Sequence, residues 1–205
     1  MPLDPALRDK IAASVEEGFP EQIAFTQDLV RLPSLRGEEH VIQDLVFRAL
    51  KDRGYAMDRF AMDRAAIEAH PGGSKFSPEH SDAPIVVGIH RPREEKGRSF
   101  ILQAHVDVVP AGPAGMWSRA PFDAAIEGDW MYGRGSADMK AGIVAYTMAF
   151  KALRSLGLEP AAPVHLQSVV EEECTGNGAL ACLVEGYRAD AAVITEPIDG
   201  MLTCQ

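Results

Sequence analysis

From residue 84 onward the chain alternates short apolar runs with longer segments, and this alternation restricts the fold more than any other feature. Residues 84–89, 99–104, 163–170 and 189–194 read as buried strands. A helix is predicted from about residue 139 to 156, with Ile143, Val144, Thr147, Phe150 and Leu153 along one face. A second is predicted over residues 178–187. Strands alternating with helices predict an α/β fold, a three-layer, largely parallel sheet with helices on both faces. In such sheets a site lies at the carboxyl ends of the strands.

The segment before the alternation reads as helical. Ile11, Val15 and Phe19 recur at helical spacing, and Ile23, Leu29, Val30 and Leu32 resume after Pro20. Pro33–Ser34 ends that pattern, and a third helix carries Val41, Ile42, Leu45, Val46 and Leu50 up to Gly54. All three apolar stripes are expected to face the core. Residues 61–83, polar and broken by Pro71, Gly72, Gly73 and Pro78, read as a surface excursion.

Four groups of metal-ligand residue types stand at the ends of apolar runs: His105-Val-Asp107, Gly133-Arg-Gly-Ser-Ala-Asp138, Glu171-Glu172-Glu173 and Glu196 before Pro197. One imidazole with several carboxylates is the donor set of a hydrolytic zinc centre. Each group alone has an ordinary reading. His105 and Asp107 fall on one side of an extended chain, where Asp107 could fix the imidazole tautomer, or the two could be a plain surface pair. Asp138 precedes a helix and could be its N-cap, while the paired glycines suggest unusual dihedrals or close approach. The three glutamates could form a solvated loop, although consecutive carboxylates at a buried strand end repel one another unless protonated or bound to metal. Glu196 could be an exposed strand end. Four such signals in order, at four strand ends of one sheet, favour a shared centre.

Bulk properties narrow the class. A net charge of −10 argues against nucleic acid or an anionic membrane as partner. Three cysteines, Cys174, Cys182 and Cys204, form no metal spacing and read as reduced thiols of a cytoplasmic protein. The N-terminal segment lacks an apolar stretch of signal-peptide length, and no run approaches the roughly 18 apolar residues of a membrane span.

Taken together, the motifs resemble the co-catalytic zinc hydrolases that include acetylornithine deacetylase, succinyl-diaminopimelate desuccinylase, aminoacylase and the glutamate-releasing carboxypeptidases. The resemblance runs from about Phe25 to Gln205 and includes Trp117, Pro121-Phe122 and Gly128-Asp-Trp130-Met-Tyr132-Gly-Arg-Gly135. It implies a zinc-exopeptidase-like catalytic domain and cleavage of an amide bond in an N-acyl amino acid or small peptide. It implies that His105 and Glu196 bind one zinc, that Asp138 bridges two, and that Glu173 binds the second. Asp107 would stand behind His105, Glu172 would be the general base, and Glu171 would hold the leading acidic position. Cobalt or manganese could replace zinc in a carboxylate-rich set.

The resemblance also implies parts beyond residues 1–205: a lid domain that mediates homodimerisation, and a later return to the catalytic domain carrying a second zinc-binding histidine. His40, His70, His80, His90 and His165 match no such motif and read as surface or strand residues. The expectation is one nearly whole zinc site and half of another. Two alternatives accompany it, a truncated homologue acting in protein association and a one-metal hydrolase.

Overall fold

The computed structural model describes residues 3–198. Helix α1 spans Pro5–Val30, and Asp4 caps it by accepting the Ala6 and Leu7 amides. Pro20 lies inside this helix and does not divide it, so the expected two helices are one. Proline removes a single backbone bond there, and packing of the flanking turns carries the helix through. The expectation of a wholly core-facing stripe also fails: Phe25, Leu29 and Val30 are buried, but Val15 is 41% and Phe19 47% exposed. A helix of 26 residues runs about 39 Å, while the six-residue strands reach only about 20 Å. The first half of α1 lies against the later helix 141–155, where the Ser14 hydroxyl meets the Ala152 carbonyl and the Ser155 hydroxyl.

Helix α2 (His40–Asp52) leads into β1 (Ala56–Phe60), which the sequence reading missed, and then into α3 (Arg64–Ala69). The segment 61–83 is more than a surface excursion, because Ile67, Ser81 and Ala83 are buried within it. Next come β2 (Ile85–His90), β3 (Phe100–His105) and a small hairpin of β4 (Ala125–Glu127) and β5 (Trp130–Tyr132). Helix α4 (Ala141–Ser155), β6 (Val164–Val169), α5 (Asn177–Val184) and β7 (Ala191–Ile194) complete the order.

The five main strands lie in the order β1-β2-β6-β3-β7. Strand β3 is parallel to both β6 and β7, whereas β2 runs antiparallel to both its neighbours, β1 and β6. The sheet is thus mixed, with its parallel part on the side that carries the site. Residues 91–99 between β2 and β3 are too few for the dozen or so that a parallel crossover needs. Helices cover both faces. On one, Gln43 of α2 exchanges hydrogen bonds with Ser168 of β6, and Tyr55 after α2 packs edge-on against Phe150 of α4. On the other, Tyr187 after α5 packs against Phe60 and His165.

Cys174 is exposed and Cys182 buried, both as free thiols, and Cys204 lies outside the described residues, as do residues 202–205 at the end of the chain. No helix among the described residues is long and apolar enough to cross a membrane.

Candidate metal centre

His105 is the last residue of β3 and is buried, 1% exposed, at the edge where the parallel strands end. The run Glu171–Glu173 follows β6, and Glu196 follows β7. Asp138 departs from the expected pattern. It follows the β4–β5 hairpin and sits in the irregular turn Ser136–Lys140 before α4, so only three of the four groups stand at ends of the main sheet.

That turn is held from two sides. Gly135 has φ +79°, and a Cβ there would lie 2.6 Å from Val108 Cγ1, so both its conformation and its surroundings require glycine. The fully buried Lys140 donates from Nζ to the Leu32 carbonyl at 2.9 Å, and burial pushes its ammonium down to about 7. Asp138 makes no side-chain cap to the helix after it; its Oδ1 lies 3.1 Å from His105 Nε2.

The same imidazole nitrogen stands 3.6 Å from Glu172 Oε2 and 3.6 Å from Glu196 Oε1. Two ligand groups emerge, His105–Asp138–Glu173 and His105–Glu172–Glu196, each with ligand atoms within 4.8 Å of one another. On the far side of the ring, Nδ1 is 2.9 Å from the Asp107 carbonyl and 3.5 Å from its carboxylate Oδ1. The nearer partner of Nδ1 is therefore main chain. The Asp107 carboxylate is used elsewhere, with Oδ2 accepting the Glu173 amide at 3.0 Å and Oδ1 buried without a partner.

The electrostatics are those of concentrated negative charge. Burial pulls His105 down, but the adjacent Asp107 carboxylate, with Glu172 and Glu196, outweighs it and raises the imidazole to about 9. Burial lifts the Glu173 carboxyl, and neighbouring Asp138 adds to the shift. Glu196 is also raised, by burial first, with His105 opposing and Glu172 adding. Among the described residues, the ion pairs of Asp138, Glu172 and Glu196 all go to His105. A nitrogen donor ringed by carboxylate oxygens, with a buried oxygen left unpartnered behind it, fits a divalent cation of borderline hardness.

The sequence reading missed Ser81 and Glu39, both buried, which stand behind the glutamate run and are described below. No local sequence signal pointed to them, because each meets its partner from a distant part of the chain.

The chain is similar to known proteins over much of its length. The chain is 31% identical to a succinyl-diaminopimelate desuccinylase of Rhodospirillum centenum over 183 residues, covering 87% of this chain and 43% of that protein. It is 34% identical over 116 residues to the N-formyl-4-amino-5-aminomethyl-2-methylpyrimidine deformylase of Halalkalibacterium halodurans, covering 57% and 27%. The fold matches an M20 family metallo-carboxypeptidase from Sulfolobus solfataricus with a TM-score of 0.69 at 21% identity, over 85% of this chain and 37% of the other. The chain spans less than half the length of each. The model of Peptidase family M20/M25/M40 matches residues 101–202. That region carries His105, Asp107, Asp138, Glu172, Glu173 and Glu196 alike, and over it the chain matches Peptidase family M20/M25/M40.

Proposed function

We propose that this chain carries the N-terminal part of the catalytic domain of a metal-dependent amide hydrolase acting on an N-acyl amino acid or small peptide. The observation that supports it best is the convergence of Asp138, Glu172 and Glu196 on the Nε2 of one buried imidazole. The desuccinylase and deformylase relatives are both named for removing an acyl group, which favours an N-acylated substrate over a long peptide.

In this reading His105, Asp138 and Glu196 hold one zinc ion, and Asp138 with Glu173 holds another, with cobalt or manganese as substitutes. A divalent metal so held supplies Lewis acidity, lowering the pKa of bound water to about 7 and polarising a carbonyl. Asp107 keeps the ring of His105 and the amide of Glu173 in place. Glu172, whose side chain is 42% exposed, is free to move protons. It takes one from the attacking water and returns it to the departing amine, so amide plus water becomes carboxylate plus amine. A lid domain and homodimerisation beyond this chain, and a cytoplasmic setting, belong to the same reading.

Glu172→Gln keeps the shape of the side chain but cannot take the proton. Turnover of N-acyl amino acids should fall by about 10²–10⁴-fold, while the zinc content of the variant, measured by elemental analysis, stays that of the wild type. Retained turnover would remove Glu172 from its role as base.

A second reading, a non-catalytic chain acting in protein association, is favoured by β7. This strand is exposed along its length, with Val193 at 43% and Ile194 at 57%. A chain that binds no zinc would decide for it.

A further inference from the structure

Glu171 belongs to neither converging ligand group, yet its side chain is fully buried while that of Glu172 is 42% exposed. In extended backbone, side chains alternate, and Glu172 and Glu173 would point to opposite faces. Here both carboxylates approach His105. The chain leaves the extended form at Glu171, whose φ of +64° lies in the left-handed region that residues with a Cβ rarely adopt, and residues 172–175 form the turn that follows. A position like this persists only where the surroundings over-determine it.

The surroundings are specific. Glu171 Oε1 accepts the Ser81 amide at 2.7 Å, and Oε2 accepts the Thr175 hydroxyl at 3.4 Å. Its carbonyl accepts the Thr175 and Gly176 amides at 3.1 and 2.9 Å. His80 Nδ1 accepts the Ser77 amide at 2.7 Å, which leaves Nε2 as the nitrogen facing Glu171 Oε2 at 3.9 Å. Ser81 is itself fixed, donating from Oγ to Glu39 Oε2 at 2.7 Å. A few residues away, Ser74 and Asn177 exchange two hydrogen bonds of 3.0 Å between backbone and side-chain amide. The segment 74–81 thus grips 171–177 at both ends.

We propose that Glu171 is a positioning residue of the metal centre: its buried carboxylate, tied to the Ser81 backbone, holds the left-handed turn that aims Glu172 and Glu173 at the same point beside His105. The proposal rests on the metal-binding reading above. It separates two things the turn could require. Glycine adopts the left-handed region freely but offers no carboxylate, whereas glutamine keeps the length and the acceptor oxygen but not the charge.

The test is zinc titration by calorimetry of the 205-residue wild type, Glu171→Gln, Glu171→Gly and a Leu166→Ala control weakened elsewhere in the core. Amide hydrogen exchange at Ser81 is followed in the metal-free proteins. Glu171→Gln should bind as the wild type does and keep Ser81 protected. Glu171→Gly should lose Ser81 protection and about 10–100-fold in affinity, the usual effect of removing support behind a ligand. Leu166→Ala, once folded, should bind normally. Wild-type affinity in Glu171→Gly overturns the role, as does equal weakening in Glu171→Gln or in the control. A wild type that binds no zinc overturns the parent reading and this role with it, an outcome distinct from the others.

Discussion

His105 and the pair Glu172–Glu173 face each other across the candidate centre, but one is carried by a regular strand and the other by an irregular turn. Strand β3 has parallel neighbours on both sides, paired with β6 from Phe100 to His105 and with β7 from Phe100 to Gln103. The position of His105 is therefore shared among many ladder bonds and a buried core. The glutamates hang instead on a few hydrogen bonds, that of the Glu173 amide to Asp107 and those of Glu171, one of them to Ser81, ninety positions away in sequence. Damage to the strand wall should lower stability and leave the geometry of the folded molecule alone. Damage to the turn should do more to the geometry than to the stability.

The largest expected effect breaks the strand wall. Leu166 is fully buried at the middle of β6, between β2 and β3. Its replacement by alanine should cost about 3–4 kcal/mol of folding stability, from lost burial and the cavity left behind, read as a fall in the urea midpoint. Zinc affinity of the molecules that remain folded should not change. A matching loss of affinity would mean that the strand and the turn are not separate supports.

The turn wall is tested by Gly178→Ala. Gly178, in the first turn of α5, lies so close to the Val170 backbone that a Cβ would overlap the Val170 carbonyl. Forcing them apart should cost about 2–3 kcal/mol, somewhat less than the cavity. Val170 directly precedes Glu171, however, so this variant should also lose zinc affinity, measured in the same titration. Preserved affinity would show that the turn absorbs the displacement before it reaches Glu172.

The same contrast explains what the sequence made legible. Strands β2, β3, β6 and β7 and helix α4 were readable because their apolar runs obey a simple period, and His105 and Glu196 follow from the ends of those runs. Strand β1 was missed because its half-exposed residues show no such run. The antiparallel direction of β2 was missed because strand direction is set by connections rather than by the strands themselves. Pro20 misled because tertiary packing overrode a local breaker. Of the glutamates, position in the run separates the three, but the burial of Glu171 depends on Ser81, and no local pattern reports a contact across so long a stretch of chain. Asp138 was found by its glycines, although the element that carries it is a hairpin turn rather than a strand end.

The smallest effect concerns the layer behind the turn. Glu39, fully buried at the start of α2, accepts the Ser81 hydroxyl with one oxygen and has no partner for the other. Burial raises its carboxyl above the usual range, the Ser81 hydrogen bond opposes this, and the charge of Asp107 adds to the rise. A carboxyl raised in the folded state favours the neutral form there. Its contribution to stability is present below the unfolded pKa of 4.5 and is lost as pH climbs through the folded value. Glu39→Gln, neutral throughout and still able to accept from Ser81, removes that loss. Its folding stability, from urea unfolding, should match the wild type near pH 4 and exceed it at pH 7, by on the order of 1 kcal/mol. Because Ser81 keeps both its partners, zinc affinity should stay unchanged, which separates stability stored behind the turn from the aim of the turn itself. A gap that does not vary with pH would mean that Glu39 titrates alike in the folded and unfolded chain.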